Sequence, residues 1–313
     1  MAFLKKRFSR RGYFWYLVET ERIKGRVVQK VLKYLGKTRD TYIYATENKL
    51  QLPREKSKSE IRFDQELERK LLERHKGIKG SDLKRSLEII ELFKRLIVEW
   101  TYHSTVIEGS SLTKGETKNA IEGIEILGKP LEDSIGAKNH KDAIIYMFKL
   151  LDEKKELTEQ DILEFHHFVL KGINDQYAGR YRDVQVMIRG AVHNPPSSGK
   201  VPIMMRELVK HMKANIEKLS LVDLSAAIHL EFEKIHPFVD GNGRVGRIIN
   251  NFLLISAGYP PIIIKINERK KYFEALEESI ILDRSEPFIR FIKMKVIDSY
   301  KFYTKKKKSS KKM

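Results

Sequence analysis

The chain has 313 residues, long enough for one large or two modest domains with a proper core. Hydrophobic residues make up 41% and charged residues 33%, the balance of a soluble globular protein with a highly charged surface. No cysteine is present, which excludes disulfides, thiol chemistry and a cysteine-based zinc site and suits a cytoplasmic setting. No apolar run reaches the ~20 residues of a membrane span, and no apolar stretch with a cleavage site opens the chain, so neither membrane insertion nor secretion is expected.

The formal net charge of +19 is concentrated at the two ends. Residues 1–40 hold twelve Lys and Arg against three acids, and residues 301–313 hold seven Lys and no acid. Any affinity for nucleic acid or another polyanion is therefore expected from the ends rather than from the middle of the chain.

In chain order, Tyr13-Phe14-Trp15-Tyr16-Leu17-Val18 and Val27-Val28-Gln29-Lys30-Val31-Leu32 are aromatic and β-branched, with Gly25 between them. They predict a β-hairpin, with Thr41-Tyr42-Ile43-Tyr44 a candidate third strand. Basic residues among aromatics suit single-stranded nucleic acid; the plainer reading is a small interaction module whose aromatics form its own core. Leu50 to Glu60, with Pro53 and several Lys, Glu and Ser, reads as a linker. Helical patterns begin near Phe63, are broken at Gly77 and Gly80, and resume as an apolar helix over Leu83 to Trp100.

That helix runs on into Ser104-Thr105-Val106-Ile107-Glu108-Gly109. Taken alone, a Ser and a Glu at helical spacing before a Gly make an ordinary helix C-terminus. Leu112-Thr113-Lys114-Gly115-Glu116 predicts a capped helix start, and Asn139 to Ala143 and Leu157 to Glu159 open further helices. His166 and His167, within an apolar helix, read as packing or surface residues with no second ligand set for a metal. Gly179 to Arg189 alternates like a strand and is ended by His193-Asn194-Pro195-Pro196.

Two apolar-periodic segments then flank a dense polar loop. Leu224, Ala227, Ile228, Phe232 and Ile235 recur at helical spacing before it, and Val245, Ile248, Ile249, Phe252 and Leu253 after it. Between them lies His236-Pro237-Phe238-Val239-Asp240-Gly241-Asn242-Gly243-Arg244-Val245-Gly246-Arg247. The pattern predicts helix, loop, helix, with glycines just ahead of the second helix. Free N–H groups and the positive end of the dipole there make an anion site, and glycines let a phosphate approach the backbone closely.

The sequence His-x-Phe-x-Asp-Gly-Asn-Gly-Arg-x-x-Arg resembles the signature of the Fic family, enzymes that most often transfer AMP from ATP onto a protein hydroxyl. Every fixed position is matched, from His236 to Arg247. Ser104-x-x-x-Glu108-Gly109 similarly resembles the family's inhibitory motif. The resemblance implies a mainly α fold: a Fic-type helical core at 63–300 with a β-hairpin flap, and an inhibitory helix near 95–109. Around it the sequence predicts a small basic β-rich module at 1–52, a linker at 53–62 and a disordered basic tail at 301–313.

The roles that the resemblance implies are these. His236 is the general base for a Ser, Thr or Tyr hydroxyl, and Asp240 holds Mg²⁺ between the phosphates of ATP. Gly241, Asn242 and Gly243 form the anion hole, Arg244 clamps the phosphates, and Val245, Gly246 and Arg247 complete the nucleotide site. Glu108 occupies Arg247 in a resting state. The flap pairs with an extended target segment, and its Val186, Met187 and Ile188 border the nucleotide. Tyr272 is a candidate for packing on adenine. No Asn precedes Pro287-Phe288-Ile289, where family members frequently carry one, so the choice of base stays open.

Three readings follow: an autoinhibited protein adenylyltransferase that also modifies itself, removal of AMP by the same site, and a nucleic-acid-associated regulator with a Fic core. A homodimer is left open.

Overall fold

The computed structural model describes residues 2–9, 12–23, 26–36, 87–124, 126–188, 193–216 and 220–304. From residue 87 onward its regular structure is helical. The main helices are α1 (Leu87–Ile107), α2 (Lys114–Ile121), α3 (Leu131–Asp152), α4 (Glu159–Leu170) and α5 (Val201–Asn215). They are followed by α6 (Leu221–Ile235), α7 (Asn242–Ser256), α8 (Arg269–Ile281) and α9 (Glu286–Thr304).

The arrangement is built around α7, whose side chains are buried on nearly every face. A helix that is apolar or paired all round belongs at the centre of a helical layer stack. Helix α6 packs along it, α3 and α4 cover one side, α1 touches both α3 and α7, and α8 and α9 lean on α6. One core cluster joins Ile97, Trp100, Ile144, Met147, Phe165, Phe232, Phe238, Val245, Ile249 and Phe252. A second joins Ile107, Leu230, Leu254, Tyr272, Phe288, Phe291 and Ile292. Each large apolar side chain buried in this way contributes about 1.5–3 kcal/mol.

Local signals set several boundaries. Thr113 caps α2 and Thr158 caps α4, each in a reciprocal capping box with the residue three positions on. Such a cap is worth about 1 kcal/mol. Helix α6 ends because His236 adopts the left-handed conformation at φ 48°, and Gly241 starts α7 from φ 81°. An Ala at 241 would be strained, and its Cβ would also lie 3.1 Å from Val169 Cγ1.

The expected fold class is corrected in two respects. The flap predicted over 179–189 is not a hairpin: among the described residues the segment runs as turns and irregular chain through residue 188. Side chains occupy several of its carbonyls: Ser198 Oγ donates to that of Asp183 and Gln185 Nε2 to that of Val186. The buried Arg182 guanidinium donates to the carbonyls of Val184, Pro196 and His236. On the other side, Pro195 and Pro196 have no N–H with which to continue a ladder. Arg189 lies outside the described residues.

The β-rich module also fails as a component of the fold. Strands β1 (Ala2–Ser9), β2 (Gly12–Ile23) and β3 (Arg26–Gly36) pair in antiparallel order with one another. The fold described from residue 87 onward is helical, so a β-rich module is not supported as part of it. The third strand is the one before the predicted hairpin. Thr41 to Tyr44, the linker, the helical patterns over 63–86 and the lysine run after 304 all lie outside the described residues. No helix among the described residues is long and apolar enough to cross a membrane.

Candidate active site

The α6–α7 loop is held rigid from below by its own side chains. Asn242 is buried and closes the loop on itself: its Oδ1 accepts from the Phe238 N–H and its Nδ2 donates to the Phe238 carbonyl, both at 2.9 Å. The His166 ring stacks on Phe238 at 3.6 Å between centroids, and its Nε2 lies 3.1 Å from the Asp240 carbonyl. The Gly179 N–H donates to His166 Nδ1 at 3.1 Å. That bond leaves Nε2 as the protonated nitrogen, which donates to Asp240. Burial lowers the His166 pKa to about 4, consistent with this neutral tautomer.

From the other side, the Arg182 N–H donates to the Pro237 carbonyl at 2.9 Å and its Nε to the His236 carbonyl at 2.8 Å. His236 is thus fixed at both its backbone and its cap. Its imidazole is mostly buried. Burial lowers its pKa, the Glu233 carboxylate opposes that, and the result is still below the usual imidazole value. A neutral ring at neutral pH is what a general base requires.

Asp240 stands at the rim, its side chain 62% exposed. It accepts from Arg244 Nη2 at 2.8 Å and from the Gly241 N–H at 2.6 Å. Arg244 and Arg247 are both buried, at 8% and 4% exposed. Arg247 Nε donates to Ser104 Oγ and Nη2 to the Ser104 carbonyl, each at 2.9 Å. Nη2 also lies 2.7 Å from Glu108 Oε1. Burial alone would lower the Arg247 pKa; the Glu108 charge, chiefly, carries it above its ordinary value instead.

Gly243 completes the picture. A Cβ there would collide with the Glu108 carboxylate and lie 3.0 Å from Arg247 Nη1. The carboxylate therefore rests directly against the first turn of α7, where an anion is favoured by free N–H groups and the helix dipole. Gly109, at φ 115°, turns the chain away from α1 immediately after Glu108.

Not every predicted site residue joins this group. Tyr272 is 1% exposed, its hydroxyl 3.0 Å from His229 Nε2 and its ring among Phe273, Phe288 and Phe291. It packs inside, 5.9 Å from the Arg247 guanidinium, and presents no face for a base in this conformation. His193 is tied to the Lys234 carbonyl at 2.8 Å. Val186 and Ile188 are half-buried and Met187 is exposed; they lie on the irregular segment that Arg182 anchors. Arg182, His166 and Glu233, which shape the loop, were not singled out from the sequence for that work. Only the position of Glu233, three residues before His236 on one helix, offered a signal.

A carboxylate held at a helix N-terminus, two buried arginines and a mostly buried histidine thus meet on one loop under the cover of a second helix. Residues 156–254 match the Fic/DOC family model. The chain is 34% identical over 201 residues to protein adenylyltransferase Fic of Drosophila erecta and 35% identical over 201 residues to that of Drosophila virilis. These alignments cover 64% of this chain and 40% and 41% of the relatives, so the chain spans about two fifths of their length. Among solved structures, Fic-1 from C. elegans superposes with a TM-score of 0.72 at 25% identity, covering 79% of this chain and 74% of that one. A Fic domain containing signaling protein from Bacteroides thetaiotaomicron gives 0.66 at 25% identity, covering 74% and 94%. The chain carries a Fic domain.

Proposed function

We propose that this protein is an autoinhibited protein adenylyltransferase, transferring AMP from ATP to a Ser, Thr or Tyr hydroxyl of a protein, itself included. The observation that carries the reading is the seat of Glu108: a carboxylate on Arg247 and Gly243, in the anion position at the start of α7. The relatives named protein adenylyltransferase support the reaction class.

In this reading the target hydroxyl approaches His236, whose neutral ring takes the proton as the oxygen attacks the α-phosphate. The new oxygen–phosphorus bond forms as the bond to the β-phosphate breaks, and pyrophosphate leaves. Gly241, Asn242 and Gly243 offer backbone donors to the developing charge, and Arg244 holds the phosphates. The exposed Asp240 carboxylate fits Mg²⁺, since that ion needs one or two carboxylates and takes its other ligands from phosphate and water. Bound there, Mg²⁺ would neutralise phosphate charge.

Glu108 takes from ATP the guanidinium that would hold its terminal phosphate. ATP that binds beside it has its α-phosphate out of line, and a displacement of ~1 Å can cost ~100-fold in rate. Intact-mass analysis of wild type and Glu108→Gly with each of the four nucleoside triphosphates tests this and the base preference together. AMP adducts on Glu108→Gly, scarce on wild type and absent on Glu108→Gly/His236→Ala, support the reading. Loss of AMP from a pre-modified protein only when Glu108 is present would favour removal instead.

A further inference from the structure

The proposed reaction leaves one buried acid without a role. Glu233 lies on α6, one turn before His236, and is 9% exposed. Its Oε2 is 3.7 Å from His236 Nδ1 and its Oε1 is 3.6 Å from His229 Nε2. Neither His236 Nδ1 nor Glu233 Oε1 has a hydrogen-bond partner within bonding distance. A buried carboxylate is costly unless it is paired, so an acid kept between two imidazoles needs an explanation.

Resting on the reading of His236 as the base, we infer that Glu233 is a positioning residue that holds the proton on His236 Nδ1 and leaves Nε2 free to accept the proton of the target hydroxyl. The gap of a few tenths of an ångström beyond a hydrogen bond is of the kind that closes when substrate is bound. As the hydroxyl oxygen bonds to phosphorus, its proton moves to Nε2. The imidazolium so formed keeps its Nδ1 proton directed at the Glu233 carboxylate, which stabilises the new charge without taking the proton.

The packing around the acid supports a fixed placement. A Cβ on Gly246 of α7 would lie 2.7 Å from Glu233 Oε1 and 3.1 Å from His229 Nε2. The absence of a side chain at 246 is what admits the acid. The same His229 Nε2 also meets the Tyr272 hydroxyl of α8 at 3.0 Å. The charged groups facing Glu233 are His229, His236 and Arg247, and those facing His236 are Glu233, Arg182 and Glu108. Burial raises the Glu233 pKa, but His229, His236 and Arg247 together bring it below its ordinary value, so the acid is ionised at neutral pH.

The test uses the Glu108→Gly protein, alone and combined with Glu233→Gln or Glu233→Asp, and reads two quantities. The first is the pKa of the His236 imidazole by NMR titration of histidine-labelled protein without nucleotide. The second is the pH profile of AMP transfer. With Glu233→Gln the imidazole pKa should fall by about one unit or more, as for loss of an opposite charge at this range. The acid limb of kcat/KM should move down with it, while kcat above that limb drops about 10-fold or more at unchanged KM for ATP. Glu233→Asp, which keeps the charge but draws it back, should give intermediate values and guards against a fold defect in the glutamine variant.

An unmoved His236 titration in both variants overturns the inference, as does a fall in rate with no shift of the limb. If the titration shifts but no Glu108→Gly protein transfers AMP at any pH, the hold of Glu233 on the ring stands and the adenylyltransferase reading is what falls.

Discussion

Glu108 and Arg247 are 139 positions apart in the chain, yet Oε1 of the first lies 2.7 Å from Nη2 of the second. The same guanidinium is held from behind by Ser104, through both its hydroxyl and its carbonyl. Ser104 and Glu108 sit one turn apart at the end of α1, so a single helix end grips the arginine at two points. The Ser104 contacts do not involve Glu108, so under the proposed restraint they would keep the arginine aimed at the start of α7 once the acid is withdrawn.

Under the proposed restraint, replacing Glu108 by Gly should raise self-modification by on the order of 100-fold, the loss in rate that a ~1 Å misplacement can cause. ATP should also bind more tightly, since Arg247 no longer has a competing carboxylate. Isothermal calorimetry with a non-hydrolysable ATP analogue, alongside intact mass, would measure both. Equal ATP affinity in the two proteins would show that the acid does not compete for the site.

Gly243→Ala should separate restraint from catalysis. The added Cβ displaces the Glu108 carboxylate, so the ion pair to Arg247 is lost. It also stands where phosphate must approach the backbone of α7. The variant should therefore stay inactive even with Glu108→Gly, with ATP affinity weakened. Activity equal to that of Glu108→Gly alone would place the phosphates elsewhere.

Arg182→Met should destabilise the protein by roughly 2–5 kcal/mol, because it strips donors from the carbonyls of Val184, Pro196 and His236 inside the fold. Urea unfolding should show a lower midpoint with the slope unchanged. An unshifted midpoint would mean that these carbonyls find other donors. Because His236 loses its backbone anchor, transfer in the Glu108→Gly background should fall as well.

Stability should decline as pH drops below about 6.5. His140 and His229 are fully buried, and burial holds the pKa of each below the ordinary imidazole value. For His140 the charges of Arg247 and Arg244 add to the effect, whereas Glu233 opposes it for His229. Below the unfolded value of about 6.5 the unfolded chain binds more protons than the folded one, so the stabilisation is complete above that pH and is lost on acidification. Thermal melts across pH 5–8 should show this. His140→Gln should flatten the slope, and an unchanged slope would remove His140 from the account.

The loop from His236 to Arg247 was legible in the sequence because its chemistry is contiguous. The base, acid, amide, glycines and arginines stand within twelve positions between two segments of helical period, and the helices form where that period places them. The same holds for the capped start of α2, where Thr113 and Glu116 bond each other locally. Local patterns of this kind carry their own geometry.

What the sequence misread was non-local. Residues 179–188 alternate as a strand does, but alternation cannot show that Arg182 would turn inward and occupy the carbonyls a ladder needs. Tyr272 has the spacing of any helical aromatic, and only the packing of α8 on α6 decides that its ring is interior. Glu233 stands three residues before His236, a spacing that signals nearness only; that its carboxylate faces the imidazole depends on the left-handed turn at His236. Spacing along a chain determines which residues share a helix face. Which distant groups satisfy a buried charge is settled only when the helices pack, because the cost of leaving that charge unpaired exists only in the folded interior.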